Sequence, residues 1–299
     1  MDFLKITFFA SGVDTYFFLP VMFSMVLSFF TSMGGVTGAV LILPFQVSVL
    51  GFTSPSVNST NLLYNIIGAP GGVYRYIKEG RMVWPLAWII CAGTLPGVFL
   101  GYYIRVKYLP RPESFKLFAG IVILYVGIRL VHDIIKKNNK PILTAAHVED
   151  KKTKVLAFNI KEVQYEFGGE IVGFKTPSMF LLALIIGIVG GAYGIGGGAI
   201  IAPFCITMFN LPVYTVSGAA IFGTFATSIL GVIFYTFVPL EGQVAPPDWL
   251  LGFSFGIGGF IGMYLGAKYQ RYFPEKIIKA ILAAIFMFIS FNYIYQFVK

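Results

Sequence analysis

Apolar runs separated by short polar turns occupy almost the whole chain. They fall near residues 16–33, 37–51, 57–77, 84–104 and 113–135, then near 178–193, 197–210, 215–238, 248–268 and 275–298. The two sets correspond run for run. A helix needs about 20 residues to cross the hydrocarbon core of a bilayer, so the longer runs predict spanning helices. The first two runs of each set are shorter than that or barely reach it. Between them lies a glycine-rich break: Gly34 to Pro44 read GGVTGAVLILP and Tyr193 to Pro203 read YGIGGGAIIAP, an offset of 159 positions from Pro44 to Pro203.

Backbone released from helix at membrane depth survives only where it is buried in protein or lines a cavity. Paired breaks at matching places in two halves therefore point to a transporter's substrate site. The short runs are read as tilted spans or as a re-entrant pair. Each half then crosses five or three times, an odd count either way. An odd count inserts the second half upside down, giving two inverted repeats, residues 1–135 and 177–299. Fusing each short pair into one bent helix would instead give four spans and a parallel repeat. The expected fold class is an all-α polytopic membrane protein with two inverted repeats and Gly-interrupted short or re-entrant helices.

Residues 136–176 are the only polar stretch of any length. Within it, KVLAFNIKEVQYEFGGEIVGFKT carries short runs of Val, Ile, Phe and Tyr and a Gly168-Gly169 turn signal. This predicts a small β-hairpin or meander in the linker between the halves. Its plain role is a connector, and a regulatory or partner-docking element is the alternative. His132 and His147 lie at its edges without ligand-type neighbours and read as surface histidines.

Composition agrees with lipid as the solvent, since 57% of the chain is hydrophobic and only 12% charged. The net charge of +9 does not mark a nucleic-acid binder, because the Lys and Arg residues sit between membrane runs and report topology and lipid headgroups. The turn with Arg75, Lys78 and Arg81, the linker with Lys136, Lys137, Lys140, Lys151, Lys152 and Lys154, and the turn with Lys268, Arg271 and Lys276 share one side, expected to be cytoplasmic. The loop at 238–248, with Glu241 and Asp248 and no base, fits the outside. Arg105, Lys107 and Arg111 run against this pattern. Arg75 and Arg129 are expected to snorkel to headgroups. The N-terminus has no small-residue cleavage site after its apolar run, so no removable signal peptide is read. Cys91 and Cys205 lie in apolar runs as small hydrophobes, so neither a disulfide nor a metal site is expected.

The chemistry of the interior is defined partly by what is missing. All thirteen acidic residues lie in loops or at segment ends, which leaves a carboxylate proton relay or sodium site without a candidate. No Ser/His/Asp set, HExxH or Cys cluster is present, so an enzyme lacks its parts and no cofactor is expected. The interior offers peptide N–H groups, hydroxyls and amides. Gly34, Gly35, Gly38, Gly194, Gly196, Gly197 and Gly198 let the backbone turn tightly, and a helix starting just after them aims unpaired N–H groups into the gap. Thr37 adds a hydroxyl. Asn58, Asn61 and Asn65 share one face of the third run, and the repeat offset places Ser217 and Thr224 in the matching run. Such a set suits a small anion. The competing reading is that these small and polar residues only pack and bond helices, the reading preferred for Gly93/Gly97/Gly101 and Gly258/Gly262/Gly266.

At these residues the chain resembles the sulfite exporter TauE/SafE family, also described as an organosulfonate-permease-like group. The resemblance spans nearly the whole chain and rests on GGVTGAVLILP with the NSTN stretch, on YGIGGGAIIAP with SGAAIFGT, and on the Gly-spaced fourth runs. It implies an integral carrier of the cell membrane for sulfite or a small sulfonate such as sulfoacetate, with Gly-rich loops at Gly35–Gly38 and Gly194–Gly198. The halves differ, with Val36-Thr37 standing where the second has Ile195-Gly196, and the central linker is longer than a plain tandem needs. The partners expected are a small anionic substrate and the lipid bilayer. An anion channel using the same backbone N–H groups is the alternative to a carrier.

Overall fold

The computed structural model describes residues 5–109, 111–135, 152–239 and 244–298. Asp2, Lys136, Lys137, Lys140, His147, Glu149, Asp150, Lys151 and Glu241 lie outside them. Most of the described chain is helix. The helices are α1 (Phe18–Met33), α2 (Ala39–Ser48), α3 (Ser56–Lys78), α4 (Trp84–Tyr108), α5 (Pro112–Ile135), α6 (Thr176–Tyr193), α7 (Ile201–Phe209), α8 (Val213–Phe237), α9 (Trp249–Tyr269) and α10 (Glu275–Val298). They follow the apolar runs of the sequence one for one. Five of them, α4, α5, α6, α8 and α9, are long and apolar enough to cross a membrane. The ten residues of α2 and nine of α7 rise only about 15 Å, half of a hydrocarbon core of about 30 Å.

The linker carries a three-stranded antiparallel meander, β3 (Lys154–Phe158), β4 (Glu162–Phe167) and β5 (Glu170–Lys175). Gly168 and Gly169 turn it with φ of 69° and 83°, a conformation that glycine adopts without a steric cost. Val163, Tyr165 and Phe167 alternate inward along β4. The Tyr165 phenol, pushed above its ordinary pKa by burial, shares a 2.9 Å hydrogen bond with Thr215 at the start of α8. At the other edge Thr153 donates its N–H to Gly80 O at 2.9 Å. The sheet is thus seated on the α3–α4 turn and on the start of α8.

A second hairpin was not expected from the sequence: β1 (Lys5–Phe8) pairs with β2 (Val13–Tyr16). Four-residue strands give too short an alternation to stand out before an apolar run. The hairpin is tied down at its tip, where Ser11 N–H donates to Asp248 Oδ2 at 3.0 Å. Asp248 caps α9 through Leu251 N–H at 3.0 Å and passes its own N–H to Thr60 Oγ1 at 2.8 Å. It is 3% exposed and joins three elements.

The helices meet through small residues. Without a hydrophobic drive between helices in lipid, close backbone approach supplies the packing. Gly258, Gly262 and Gly266 of α9 lie against the backbone of Val21, Met25 and Phe29 and beside Ser24, Ser28 and Ser32 of α1. On α4, Gly93, Gly97 and Gly101 lie against Phe180 O, Leu184 O and Ile188 O of α6. The large apolar side chains of these helices point the other way: Met22, Val26, Trp88, Phe99 and Phe260 are all exposed.

Two central helices cross-link the bundle. Asn58 at the start of α3 bonds Tyr235 near the end of α8, Leu62 lies against Gly231, and Tyr76 lies against Gly218. Helices α3 and α8 therefore run antiparallel. Helix α9 runs parallel to α3, from Asp248 beside Thr60 to Gln270 beside Tyr76, and α4 runs parallel to α8, from Ile90 at Gly223 to Tyr102 at Val238. The principal pairings are α1 with α9 and α4 with α6, α3 with α9 and α4 with α8, α3 with α8, and α5 with α10. Exchanging the first five helices for the second five leaves this set unchanged.

A Cβ at Gly97 would lie 2.6 Å from Leu184 O and 2.8 Å from Ile188 N, backbone atoms with no freedom to turn aside. We expect Gly97→Val and Gly262→Val to destabilise the protein by about 1–3 kcal/mol, read as a lower melting temperature and a smaller monodisperse fraction in detergent. Phe99→Ala on the exposed face of the same helix should leave both nearly unchanged.

Candidate substrate site

Both glycine segments begin with the same backbone turn. At the end of α1, Val36 N–H reaches back to Thr31 O at 3.1 Å, and at the end of α6, Ile195 N–H reaches Gly190 O at 3.0 Å. These are the six-to-one bonds of a Schellman closure. They require a left-handed residue, supplied by Gly35 at φ 71° and Gly194 at φ 80°. Donors and acceptors alike are 159 positions apart. The chain then runs non-helically through residues 34–38 and 194–200 before α2 and α7 begin.

Each turn is covered by the start of the opposite half's central helix. The Gly35 backbone lies against Ser217 of α8, and Gly194 lies against Asn58 of α3, where an added Cβ would fall 2.6 Å from Asn58 Cγ. Asn61 donates both amide hydrogens, one to Ala39 O at 3.1 Å and one to Gly194 O at 3.0 Å, so a single side chain binds the two segments together. Asn65 donates to Ile195 O at 2.9 Å. On the second side Thr224 packs on Gly196 and Gly198, and Thr227 Oγ1 accepts the Gly197 N–H at 3.0 Å. Gly197 also abuts Thr94 of α4, whereas Gly38 has Tyr64 and Ser28 as its nearest neighbours. Thr37, Asn58, Asn61, Asn65, Ser217 and Thr224 are all completely buried.

The sequence reading aimed the three amides at a ligand. The geometry gives them first to the protein: a buried backbone carbonyl must be paired, and the nearest donors are these asparagines. What remains is specific. An amide nitrogen carries two hydrogens, so Asn58, bonded to Tyr235 at 3.0 Å, and Asn65 each retain one. The Oδ1 atoms of Asn58, Asn61 and Asn65, with Thr37 Oγ1 and Ser228 Oγ, have no protein partner. The site therefore presents acceptors as well as donors, with no carboxylate among the residues that build it.

Residues that the sequence reading passed over close the two ends. Toward the α3–α4 turn stand Tyr76, Gln270 and Arg81; toward the other end stand Tyr235, Tyr102 and Arg105. Tyr76 and Tyr235 are again 159 apart, a signal available in the sequence. Arg105 and Gln270 are related by the glycine spacing of α4 and α9, where the offset becomes 165 from Gly93 to Gly258. Both arginines are buried, which their places in the sequence did not indicate. Arg81 is 2% exposed and Arg105 4%; Arg105 bonds Leu109 O and lies 4.2 Å over the Phe115 ring. Arg75 pairs with Glu79. Cys91 and Cys205 are buried free thiols. Among the described residues no group of three or more His, Cys, Asp or Glu side chains could hold a metal.

A bundle of apolar spanning helices around a buried polar centre with broken backbone defines a multi-pass integral membrane transporter. The chain belongs to the sulfite exporter TauE/SafE family, whose sequence model matches residues 21–293. Its relatives include the probable membrane transporter protein YunE of Bacillus subtilis, 24% identical over 288 residues and covering 94% of this chain and 98% of the relative. A probable membrane transporter protein of Haemophilus influenzae is 24% identical, covering 93% and 98%. Another from Xylella fastidiosa is 24% identical, covering 77% and 75%. No solved structure matches the chain. The family and the five helices of membrane-crossing length make the protein a multi-pass integral membrane protein.

Asn61→Leu keeps the side-chain volume but strips donors from Ala39 O and Gly194 O. We expect a loss of about 1–3 kcal/mol, seen as a lower melting temperature. Ser228→Ala removes a hydroxyl that has no partner and should leave the melting temperature unchanged or slightly raised.

Proposed function

We propose that the protein is a carrier for a small sulfur oxyanion, sulfite or a small organosulfonate such as sulfoacetate. The observation that carries the reading is the convergence of two broken segments on fully buried amides and hydroxyls. The residues assigned to the substrate are Gly35, Thr37, Gly38, Asn58, Asn61, Asn65, Gly194, Gly196, Gly197, Gly198, Ser217 and Thr224. Asn58 and Asn65 donate to it, Asn61 holds the walls together, and the glycines bring peptide N–H groups close. The family's description supports a sulfur oxyanion. The orphaned Oδ1 atoms favour protonated sulfite over sulfoacetate, a dianion without an O–H at neutral pH, since they repel bare anionic oxygens and accept from an O–H. Sulfite titrates near neutral pH, so its monoprotonated form matches a site of mixed donors and acceptors. The complete burial of the polar set favours a carrier over an open channel, because access then requires the helices to part on one side at a time.

The halves 1–135 and 177–299 are read as inverted repeats joined by the 136–176 linker. The antiparallel courses of the matched helices α3 and α8, and of α4 and α9, support this, as does the exchange of helix pairings. The α3–α4 turn, the linker sheet and Gln270 meet at one end of the bundle. With its Lys and Arg residues, that end is assigned to the cytoplasm.

Purified protein in liposomes should pass radiolabelled sulfite in preference to chloride, phosphate or choline, and faster as the pH falls through neutrality. Equal chloride and sulfite flux overturns the substrate, and flux rising with pH overturns the protonated form. For topology, single cysteines in place of Lys78, Lys154 or Lys276 should resist an impermeant thiol reagent in intact cells and react after permeabilisation. Labelling in intact cells reverses the orientation.

A further inference from the structure

We propose that Arg81 heads an outer anion subsite on the substrate path, and that the Glu79 carboxylate occupies it in this structure as a stand-in for the transported oxyanion. The inference rests on the carrier reading above and names the residue that recognises the charge before the substrate reaches the buried centre.

The α3–α4 turn builds the subsite. Helix α3 closes on Gly80, left-handed at φ 68°, and Arg81 N–H returns to Tyr76 O at 3.0 Å. This folds the Arg81 side chain back beneath the helix end, with its guanidinium 4.7 Å over the Tyr76 ring. Arg81 Nη1 donates to Gln270 Oε1 at 2.5 Å, Nη2 donates to Ala267 O at 2.8 Å, and Nη2 also meets Glu79 Oε2. Its Nε has no acceptor although it is buried. A cation taken out of water with one donor idle is costly, and Nε with Nη2 is the edge on which guanidinium grips an oxyanion in a two-point bond. Glu79 engages only half of that edge, because its other oxygen, Oε1, is held by Arg75 at 2.6 Å.

The subsite is continuous with the centre. Gln270 joins Arg81 to Ser217, through Nε2 to Ser217 Oγ at 3.2 Å, and Ser217 lies on the Gly35 turn. Outward, the Glu79 and Arg75 side chains are 16% and 13% exposed, against 3% for Arg81. An incoming oxyanion that bonds Nε and Nη2 together replaces the single Glu79 contact, and the released carboxylate stays paired with Arg75. After the exchange each cation keeps an anionic partner, Arg81 the oxyanion and Arg75 the Glu79 carboxylate.

The test is sulfite and sulfoacetate binding by calorimetry on the purified full-length protein, with liposome flux in parallel. Glu79→Gln removes the competing charge at nearly constant size and should tighten the Kd roughly tenfold. Arg81→Gln should weaken it by roughly tenfold or more, with Arg81→Lys intermediate because an ammonium cannot make the two-point bond. A merely structural ion pair predicts the opposite sign for Glu79→Gln, a loss of stability with unchanged or weaker binding, and that result overturns the proposal. So does a folded Arg81→Gln protein that binds and carries as the wild type does. Wild-type protein that neither binds nor passes any of these oxyanions overturns the carrier reading and this subsite with it.

Discussion

The architecture depends on pairing backbone carbonyls that leave helix deep in the protein. Neither residues 34–38 nor 194–200 can be hydrated, and an unpaired buried carbonyl costs on the order of 1–3 kcal/mol. Asn61 answers for both segments at once through Ala39 O and Gly194 O. One amide on a helix of the first half thereby fixes the position of the second half's break. The Schellman closures at Gly35 and Gly194 set where the chain leaves helix, and α3 and α8 must then lie across them. The flanking pairs, α9 on α1 and α4 on α6, are built around that crossing.

Polarity along the helices is distributed for lipid. Helix α1 buries Ser24, Ser28 and Ser32 and turns Met22 and Val26 outward, the reverse of a helix on a water-soluble protein. The serines cost little inside because their hydroxyls are paired, Ser24 with Val21 O and Ser32 with Phe29 O of their own helix and Ser28 with the Tyr64 hydroxyl of α3. They are also small enough to admit the glycine ladder of α9. The same economy of volume lets Gly93, Gly97 and Gly101 of α4 pack on the backbone of α6.

The helices were legible in the sequence because lipid imposes length and apolarity on each run separately. The linker meander was legible because Gly168-Gly169 marks its turn and β4 alternates. The N-terminal hairpin was not, since its stability comes from Asp248, more than two hundred residues away. At the candidate site the residue types were readable but their duties were not. Nothing local to α3 says that Asn61 gives its donors to the carbonyls of Ala39 and Gly194. Arg81 read as an ordinary loop charge for the same reason: its burial follows from Gln270 and Ala267 closing over it, contacts across 189 and 186 positions. The 159-residue offset that relates the glycine segments also relates Tyr76 to Tyr235.

The two halves of the centre are similar without being equal. Asn58, Asn61 and Asn65 stand opposite Ser217, Ala220 and Thr224, so three amides clamp one side where two hydroxyls and a methyl stand on the other. Under the inverted-repeat reading proposed above, exchanging the halves preserves the helix pairings but not the side chains at the centre. Under the carrier reading proposed above, without a coupled ion, the half-saturation concentrations on the two faces differ. Microscopic reversibility then requires the maximal rates in the two directions to differ by the same ratio. The imbalance governs how quickly a gradient is dissipated from either side; the point at which net movement stops is set by the anion's electrochemical gradient, concentration and membrane potential together.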